Sequence, residues 1–514
     1  MMTSKSALSS AVDGASARFR SALAQPAALQ AQHLRRIVLR NQSSSFGREH
    51  GFASIRDAAD FARHVPIRDY ESLSPWIDRA ASGEAHALTE EPIVAFEETG
   101  GSSAGPKLVP CTASGLAEFQ AGLRPWLDDL FIAVPGLDRG SFYWAISPAC
   151  RPPRRTRGGV PIGMAGDEAY FGEDLASQIV AALAVTPDVA HCVDVVQWRV
   201  RTLVQLLARE DLAMISVWSP TFLTELLDHA VAQRDELAGA MQRSGAANSA
   251  RAKWVVDALG ACPPRFDDVW PGLRVISCWD QASSAAPAAA IREAFPSAFV
   301  QGKGLLATEG LCTIPLHDRP WSVLSLESGY FEFRGDDGQV HAADDLHDDR
   351  DYELIVTNGN GFYRYSIGDR VRVRGFAERT PMLEFRGRGN GNVDLCGEKL
   401  TEAFVLNALA PLGVRFAALA ADRESMRYVL LLDAEEVSQE AGDGMLARVE
   451  HGLARNPQYG YARRLLQLRE PVARRVVRPV SRWIQTRLRR GQRLGDIKPP
   501  ALLDDTDLRD MLAP

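Results

Sequence analysis

Apolar residues recur at helical spacing over residues 15–40, the polar turn NQSSSFG follows, and DAADFARHV repeats the helical pattern until Pro66 stops it. The first hundred residues therefore read as mostly helical. EPIVAF predicts a short strand entering the stretch FEETGGSSAGPKLVPCT (96–112), after which Thr112 is placed to N-cap a helix over ASGLAEFQAGL. This predicts strand, glycine-rich loop and helix in that order. In VWSPTFLTELLDHAV, Ser219 is placed as an N-cap and Pro220 at the first helical position, with Leu223, Leu226, Leu227 and Ala230 on one face. LRVISCW, SAFVQG, YFEF, YELIVT and RVRVRGF are apolar or alternating runs of strand length, with helical patterns between several of them. The mixture predicts an α/β fold.

Between YFEF and YELIVT, the acidic stretch GDDGQVHAADDLHDDRD lacks the D-x-[DN]-x-[DN]-G-x5-E register of a calcium loop and reads as a solvated hairpin loop. RGRGNGNVDLCG (386–397) is rich in glycine and asparagine, and the chain beyond it is helix-rich and dense in arginine. This predicts two domains, 1–386 and 387–514.

Composition narrows the function classes. The chain has 514 residues, 46% of them hydrophobic, enough for a large core, and its net charge of −7 offers no general attraction to nucleic acid or to an acidic membrane. Seven scattered cysteines with no C-x-x-C pair argue against a disulfide framework or a zinc site and for a reduced, cytoplasmic setting. Asp13 falls where the apolar core of a signal peptide would run, and no window of some 18 uncharged apolar residues follows. Of the 58 basic residues only six are lysine: Lys5, Lys107, Lys253, Lys303, Lys399 and Lys498. A compact ammonium serves as a point charge where the planar guanidinium does not, so each surviving lysine is a candidate for chemistry. The arginines from Arg463 to Arg493 alternate with Leu, Val, Trp and Ile at amphipathic spacing and read as a solvated or inter-domain face.

Three chemistries compete for the loop at 96–112. A Walker P-loop requires the lysine and a following hydroxyl to head a helix, but here Pro106 precedes Lys107 and Leu108 follows it. A nucleophile elbow, G-x-S-x-G, is matched literally by Gly101 to Gly105 around Ser103, yet Pro106 and Pro110 oppose the helix that this motif needs. The third is a loop whose glycines let the backbone approach a triphosphate while hydroxyls and amides donate to its oxygens.

Thr99-Gly100-Gly101-Ser102-Ser103-Ala104-Gly105-Pro106-Lys107 resembles the T-S-G-T-[ST]-G-x-P-K loop of the acyl-adenylate-forming ligases, the superfamily of luciferase and the acyl-CoA synthetases. Other segments resemble the same ligases in the same order: LLATEG with Ala307, Thr308 and Glu309; YRYSIGD with Tyr365 and Asp369; GRGNGNVDLCGEKL with Arg388; GQRLGDIKPP with Lys498. Within that superfamily the chain resembles the Gretchen Hagen (auxin-responsive promoter) acyl acid amido synthetases in their bacterial form. That likeness rests also on VPIRDYESLSPWIDRAASGE, VWSPTFL, YELIVTNGNGFYRYSIGDRVRVRGF and NPQYGYARRLLQL.

The resemblance implies a large N-terminal adenylate-forming domain, with β-sheets flanked by helices, and a small mobile α+β C-terminal lid carrying the catalytic lysine. It implies ATP and Mg²⁺, a small carboxylic acid activated as its adenylate with release of pyrophosphate, and an amine, expected to be an amino acid, that takes the acyl group. Glu309 would hold Mg²⁺, Asp369 the ribose, Thr99, Gly101, Ser102, Ser103, Gly105 and Lys107 the phosphates, and Lys498 the charge that develops. Rotation about Arg388 would withdraw Lys498 after adenylation. Trp218, Thr221 and Phe222 would line the acid. No nucleic acid, membrane or obligatory protein partner is expected. Two departures stand out: Leu305 replaces an aromatic residue that packs on adenine, and Gly100 and Ser102 replace a serine and a threonine. Lys399 with Glu402 matches a D-K-x-x-E motif that is either catalytic or structural. Transfer to a thiol, of CoA or a carrier protein, is the alternative function; behind it come a serine hydrolase using Ser103 and a silent binding protein.

Overall fold

The helical spacing before Pro66 folds as separate helices rather than one. Ala15–Ala22 ends before Pro26, which lacks an N–H and therefore opens the next helix, Pro26–Arg40, at its first turn. Ser44 and Asp57 N-cap the short helices Ser45–Glu49 and Ala58–His64 through their side chains. In this computed structural model, residues 6–99, 107–145, 154–164, 170–192, 194–388, 392–492 and 494–513 are described. They fall into two compact units: Met1–Ser216, Ala230–Ser277 and Ser297–Phe385 in the first, and Val217–His229, Cys278–Pro296 and Arg386–Pro514 in the second.

Three sheets organise the first unit. The strands predicted in EPIVAF, LRVISCW, SAFVQG, YFEF, YELIVT and RVRVRGF all form: β1 (Ile93–Thr99), β7 (Val275–Cys278), β8 (Phe299–Gly302), β13 (Tyr330–Gly335), β15 (Asp351–Thr357) and β16 (Tyr365–Ala377). The largest sheet is seven-stranded, with β13, β15, β16 and β17 (Thr380–Arg388) near its centre. A second sheet has the order β3 (Ser141–Trp144), β6 (Leu212–Ser216), β7, β8, in which β3, β6 and β7 run parallel. The third contains the β1–β2 hairpin. Here the structure corrects the expected strand–loop–helix order, because β2 (Lys107–Thr112) intervenes before the helix Ala113–Ala133. Thr112 does cap that helix, accepting from Gly115 N. The acidic stretch after β13 also carries a short strand, β14 (Val340–Ala342), paired with β13.

Aromatic packing joins the N-terminal helices to the sheets. Phe46 stacks on Tyr363 and His50, and Phe52 meets Tyr363 edge-on, within one contiguous apolar core. Beneath them, Arg364 adopts φ +50° and is buried against Glu332, with Nε to Oε2 at 2.9 Å.

In the second unit, β20 (Ala417–Asp422) and β21 (Arg427–Asp433) pair antiparallel, with β22 (Val472–Val476) and β23 (Leu502–Leu503) parallel on either edge. Its arginine-rich tail is largely paired within the unit. Arg487 lies 3.9 Å from the Trp483 ring centroid and 2.7 Å from Asp507, and Arg490 bonds Asp507 and Asp510. Among the described residues no helix is long and apolar enough to cross a membrane.

Candidate functional site

The β1–β2 hairpin pairs Thr99 with Lys107, so the glycine-serine stretch connects two antiparallel strands. Gly101, Ser102, Ser103 and Gly105 lie outside the described residues. A nucleophile elbow requires a strand-to-helix turn, and Lys107–Thr112 is a strand, which removes the hydrolase reading of Ser103. Tyr70 pins the hairpin: its hydroxyl accepts from Leu108 N at 2.8 Å and donates to Leu108 O at 3.3 Å. The Lys107 ammonium stands 5.1 Å from the Tyr70 ring centroid. Hydrogen bonds from Ser72, with Lys107 adding to them, hold the Asp69 carboxyl below its usual range.

Thr308 and Glu309 form the two-residue turn between β9 (Leu306–Ala307) and β10 (Gly310–Leu311), in which Ala307 pairs with Gly310. Glu309 is buried. Burial raises the Tyr70 phenol pKa, and Glu309 adds to the rise, so the carboxylate lies within electrostatic reach of the ring that Lys107 packs against. Cys312 tells the same of Asp369: burial first, then Asp369 and Glu309, push its thiol pKa well up. Tyr70 thus links Lys107 to Glu309, and Cys312 links Glu309 to Asp369, across wide separations in sequence. Leu305 is buried in the core, donating its N–H to Thr313 Oγ1 at 2.7 Å.

Asp369 owes its position to an irregularity in β16. Glu353 pairs with Arg370 but Ile355 pairs with Ser366, so β16 carries extra residues between those positions. Gly368, inside this bulge, adopts φ +83°. Bulges re-aim side chains in this way, and glycine takes the left-handed conformation without a Cβ penalty. Tyr365 is a core residue, tilted against Phe362 at 4.6 Å between centroids.

Sequence reasoning missed the residues that hold these parts together. In TNGNG (357–361), the Asn358 amide donates to Glu309 O at 2.6 Å, and Asn358 Oδ1 accepts from Asn360 N. Asn360 Oδ1 accepts from Thr112 N at 2.9 Å, and Gly359 N donates to buried Glu118, whose other oxygen meets His33 at 2.9 Å. A Cβ on Gly115 would sit 1.8 Å from Asn360 Oδ1, so only glycine fits there. The alternation of asparagine and glycine inside a strand-flanked segment was the available signal.

In the second unit, the Lys498 carbonyl accepts from Trp483 Nε1 at 3.0 Å, and its ammonium lies 5.3 Å from the Trp279 ring centroid. Trp279 tilts against Trp218 at 5.9 Å, and its N–H donates to Trp218 O. Glu402 accepts from Ala501 N at 3.0 Å, three residues past Lys498. Lys399 adopts φ +47° beside Glu398, whose carboxylate accepts from Leu395 N and Cys396 N. Thr221 and Phe222 are buried, Thr221 sharing a hydrogen bond with Ser219 at 2.6 Å. Arg388 is exposed at the end of β17.

The model of the GH3 family N-terminal domain matches residues 15–300, and that of the GH3 family central domain matches residues 322–388. The indole-3-acetic acid-amido synthetase GH3.4 of Arabidopsis thaliana is 24% identical over 435 residues, which span 75% of this chain and 70% of the relative. The indole-3-acetic acid-amido synthetase GH3.8 of Oryza sativa subsp. indica is 24% identical over 423 residues, 74% of this chain and 69% of that one. In fold, the chain resembles the solved AtGH3.15 acyl acid amido synthetase in complex with 2,4-DB, with a TM-score of 0.85 at 20% identity over 100% of this chain and 97% of the other. It also resembles a 2-hydroxyisobutyryl-CoA ligase in the postadenylation state, with a TM-score of 0.58 at 13% identity over 94% and 91%. Matched by the family's own models over more than half of its length, the chain belongs to the GH3 family.

Proposed function

We propose that this chain is an ATP-dependent acyl acid amido synthetase of the bacterial form of the family. It joins a small carboxylic acid to an amine, an amino acid, by way of an acyl adenylate. The observation that carries this reading is the run of neighbours in the first unit from Lys107 through Tyr70 to Glu309, and from Glu309 through Cys312 to Asp369. A lysine that follows a hydroxyl- and glycine-rich stretch in sequence, with two buried carboxylates in the same unit, suits a nucleotide and its counter-ion.

In the first step a carboxylate oxygen of the acid bonds to the α-phosphorus of ATP, and the bond from that phosphorus to pyrophosphate breaks. In the second, the amine nitrogen bonds to the activated carbonyl carbon, the bond to AMP breaks and the nitrogen loses a proton. We assign the phosphates to Thr99, Gly101, Ser102, Ser103, Gly105 and Lys107, and the ribose to Asp369. Ala307, Thr308, Tyr365 and Arg388 complete the nucleotide site. Lys498 supplies the ammonium that offsets charge in the first step, and Trp218, Thr221 and Phe222 line the acid. Residues 1–386 act as the adenylation domain and 387–514 as the lid; the scattered cysteines support a cytoplasmic setting.

Mg²⁺ fits the donor set. Glu309 presents one buried carboxylate on a tight turn, and no cluster of three metal-ligating side chains occurs among the described residues. Mg²⁺ is held in this way, by one or two carboxylates and otherwise by substrate phosphates and water. When bound it neutralises negative charge on the phosphates.

The test is pyrophosphate release over a panel of carboxylic acids, repeated with amino acids and mass detection of the amide. Acid-dependent release that Lys498→Ala abolishes, followed by amide formation, is expected. Absence of acid-dependent release, or a thioester with CoA in place of the amide, overturns the reading.

A further inference from the structure

One face at the carboxyl ends of the parallel strands carries a polar cluster that the assignments above do not use. Cross-strand register aligns Trp144 of β3 with Ser216 of β6, and Ser216 with Ser277 of β7, which puts the three on one face. Parallel sheets present their ligand sites at this end. β8 lies beside β7, and just past its last residue Lys303 bends over the row. The Lys303 ammonium donates to Ser216 Oγ at 2.7 Å and stands 5.5 and 5.9 Å from the ring centroids of Trp126 and Trp144.

Gln301 belongs to the same group, because its Oε1 accepts from Trp126 Nε1 at 2.8 Å. That bond leaves the Gln301 amide nitrogen buried with no hydrogen-bond partner among the described residues, and the fully buried Ser277 hydroxyl has none either. Leaving a buried donor unsatisfied is unfavourable. Two such groups beside a cation held between indoles amount to a binding surface for an oxygen acceptor. The indole faces favour the flat or apolar body that carries it.

We infer that Lys303, Gln301 and Ser277 form, within the first unit, a polar subsite for the acid substrate, selecting small acids that carry a second oxygen acceptor away from the reacting carboxyl. The inference rests on the reading of the chain as an acid-activating ligase. The reacting carboxyl itself is the poorer candidate for this place: an ammonium fixed on it in the ground state would stabilise the nucleophile and raise the barrier to attack, whereas on a distal oxygen the same contact adds affinity and selection without that effect.

The test compares wild type with Lys303→Met on matched acids, succinate against butanoate and 4-hydroxybenzoate against benzoate. Two readouts are taken: kcat/KM for pyrophosphate release, and quenching of tryptophan fluorescence in titrations without ATP. Wild type should favour the oxygen-bearing member of a pair by roughly tenfold or more, and Lys303→Met should bring that ratio close to one. A wild type with no preference, or a ratio that Lys303→Met leaves unchanged because both members lose equally, overturns the inference while the ligase reading stands. A preference in the fluorescence titrations that the substitution erases, without pyrophosphate release from any acid, upholds the subsite and removes the ligase reading.

Discussion

The side-chain amide of Asn358 donates to the main-chain carbonyl of Glu309 at 2.6 Å, across 49 positions of sequence. This one bond ties the turn that carries the proposed metal carboxylate to the loop that also receives the N–H of Thr112 through Asn360. Replacing Asn358 by Ala removes this bond and the acceptor of the buried Asn360 N–H, at a cost of about 1–3 kcal/mol in stability. If Asn358 positions Glu309, the substitution also raises the Mg²⁺ concentration needed for half-maximal pyrophosphate release, which a purely structural role would leave in place. Chemical denaturation and a Mg²⁺ titration measure the two effects separately.

Gly368 holds the bulge that aims Asp369. At φ +83° an alanine is strained by about 1–3 kcal/mol, and relief of that strain would rotate the following carboxylate. Gly368→Ala should therefore raise the KM for ATP several-fold while the KM for the acid changes little. Steady-state kinetics with each substrate varied in turn decides this; equal rises in both constants would point to general loosening of the sheet.

Glu402 grips the chain three residues beyond Lys498 through Ala501 N. A hydrogen bond to a charged group contributes about 1.5–3 kcal/mol. Glu402→Ala frees this tether, and kcat for adenylation should fall about tenfold or more with ATP affinity nearly unchanged, because the proposed nucleotide contacts of the first unit are untouched. Glu402→Gln, which can still accept through its amide oxygen, should recover most of the rate.

His50 makes stability depend on pH. Its Nδ1 meets Phe46 O at 2.9 Å and its Nε2 meets Arg68 at 2.7 Å, which sets a neutral ring that donates to the carbonyl and accepts from the guanidinium. Burial is the main cause lowering its pKa from the usual 6.5, and Arg68 adds to it. A depressed folded-state pKa means that the stabilisation is complete above 6.5 and is lost as pH falls from there through the folded value. Melting temperatures taken from pH 7.5 to 5.0 should decline in wild type, and the decline should be shallower in His50→Gln.

The sequence by itself determined the local elements. The β16 strand is written in the alternation of RVRVRGF, and the Thr112 cap in the hydroxyl just before ASGLAEFQAGL, because periodicity and capping depend on residues only a few positions apart. It also supplied the ordered motifs from Thr99 to Lys498 that mark the family. Tertiary structure decided the rest. That Lys107 opens a strand rather than continuing the loop up to the Thr112 cap follows from its pairing with Thr99. Asn358 reaches Glu309, Asn360 reaches Thr112 over 248 positions, and Lys303 sits between Trp126 and Trp144 for a common reason. A buried polar group takes whichever partner the folded sheets bring within reach, and local spacing carries no record of that choice.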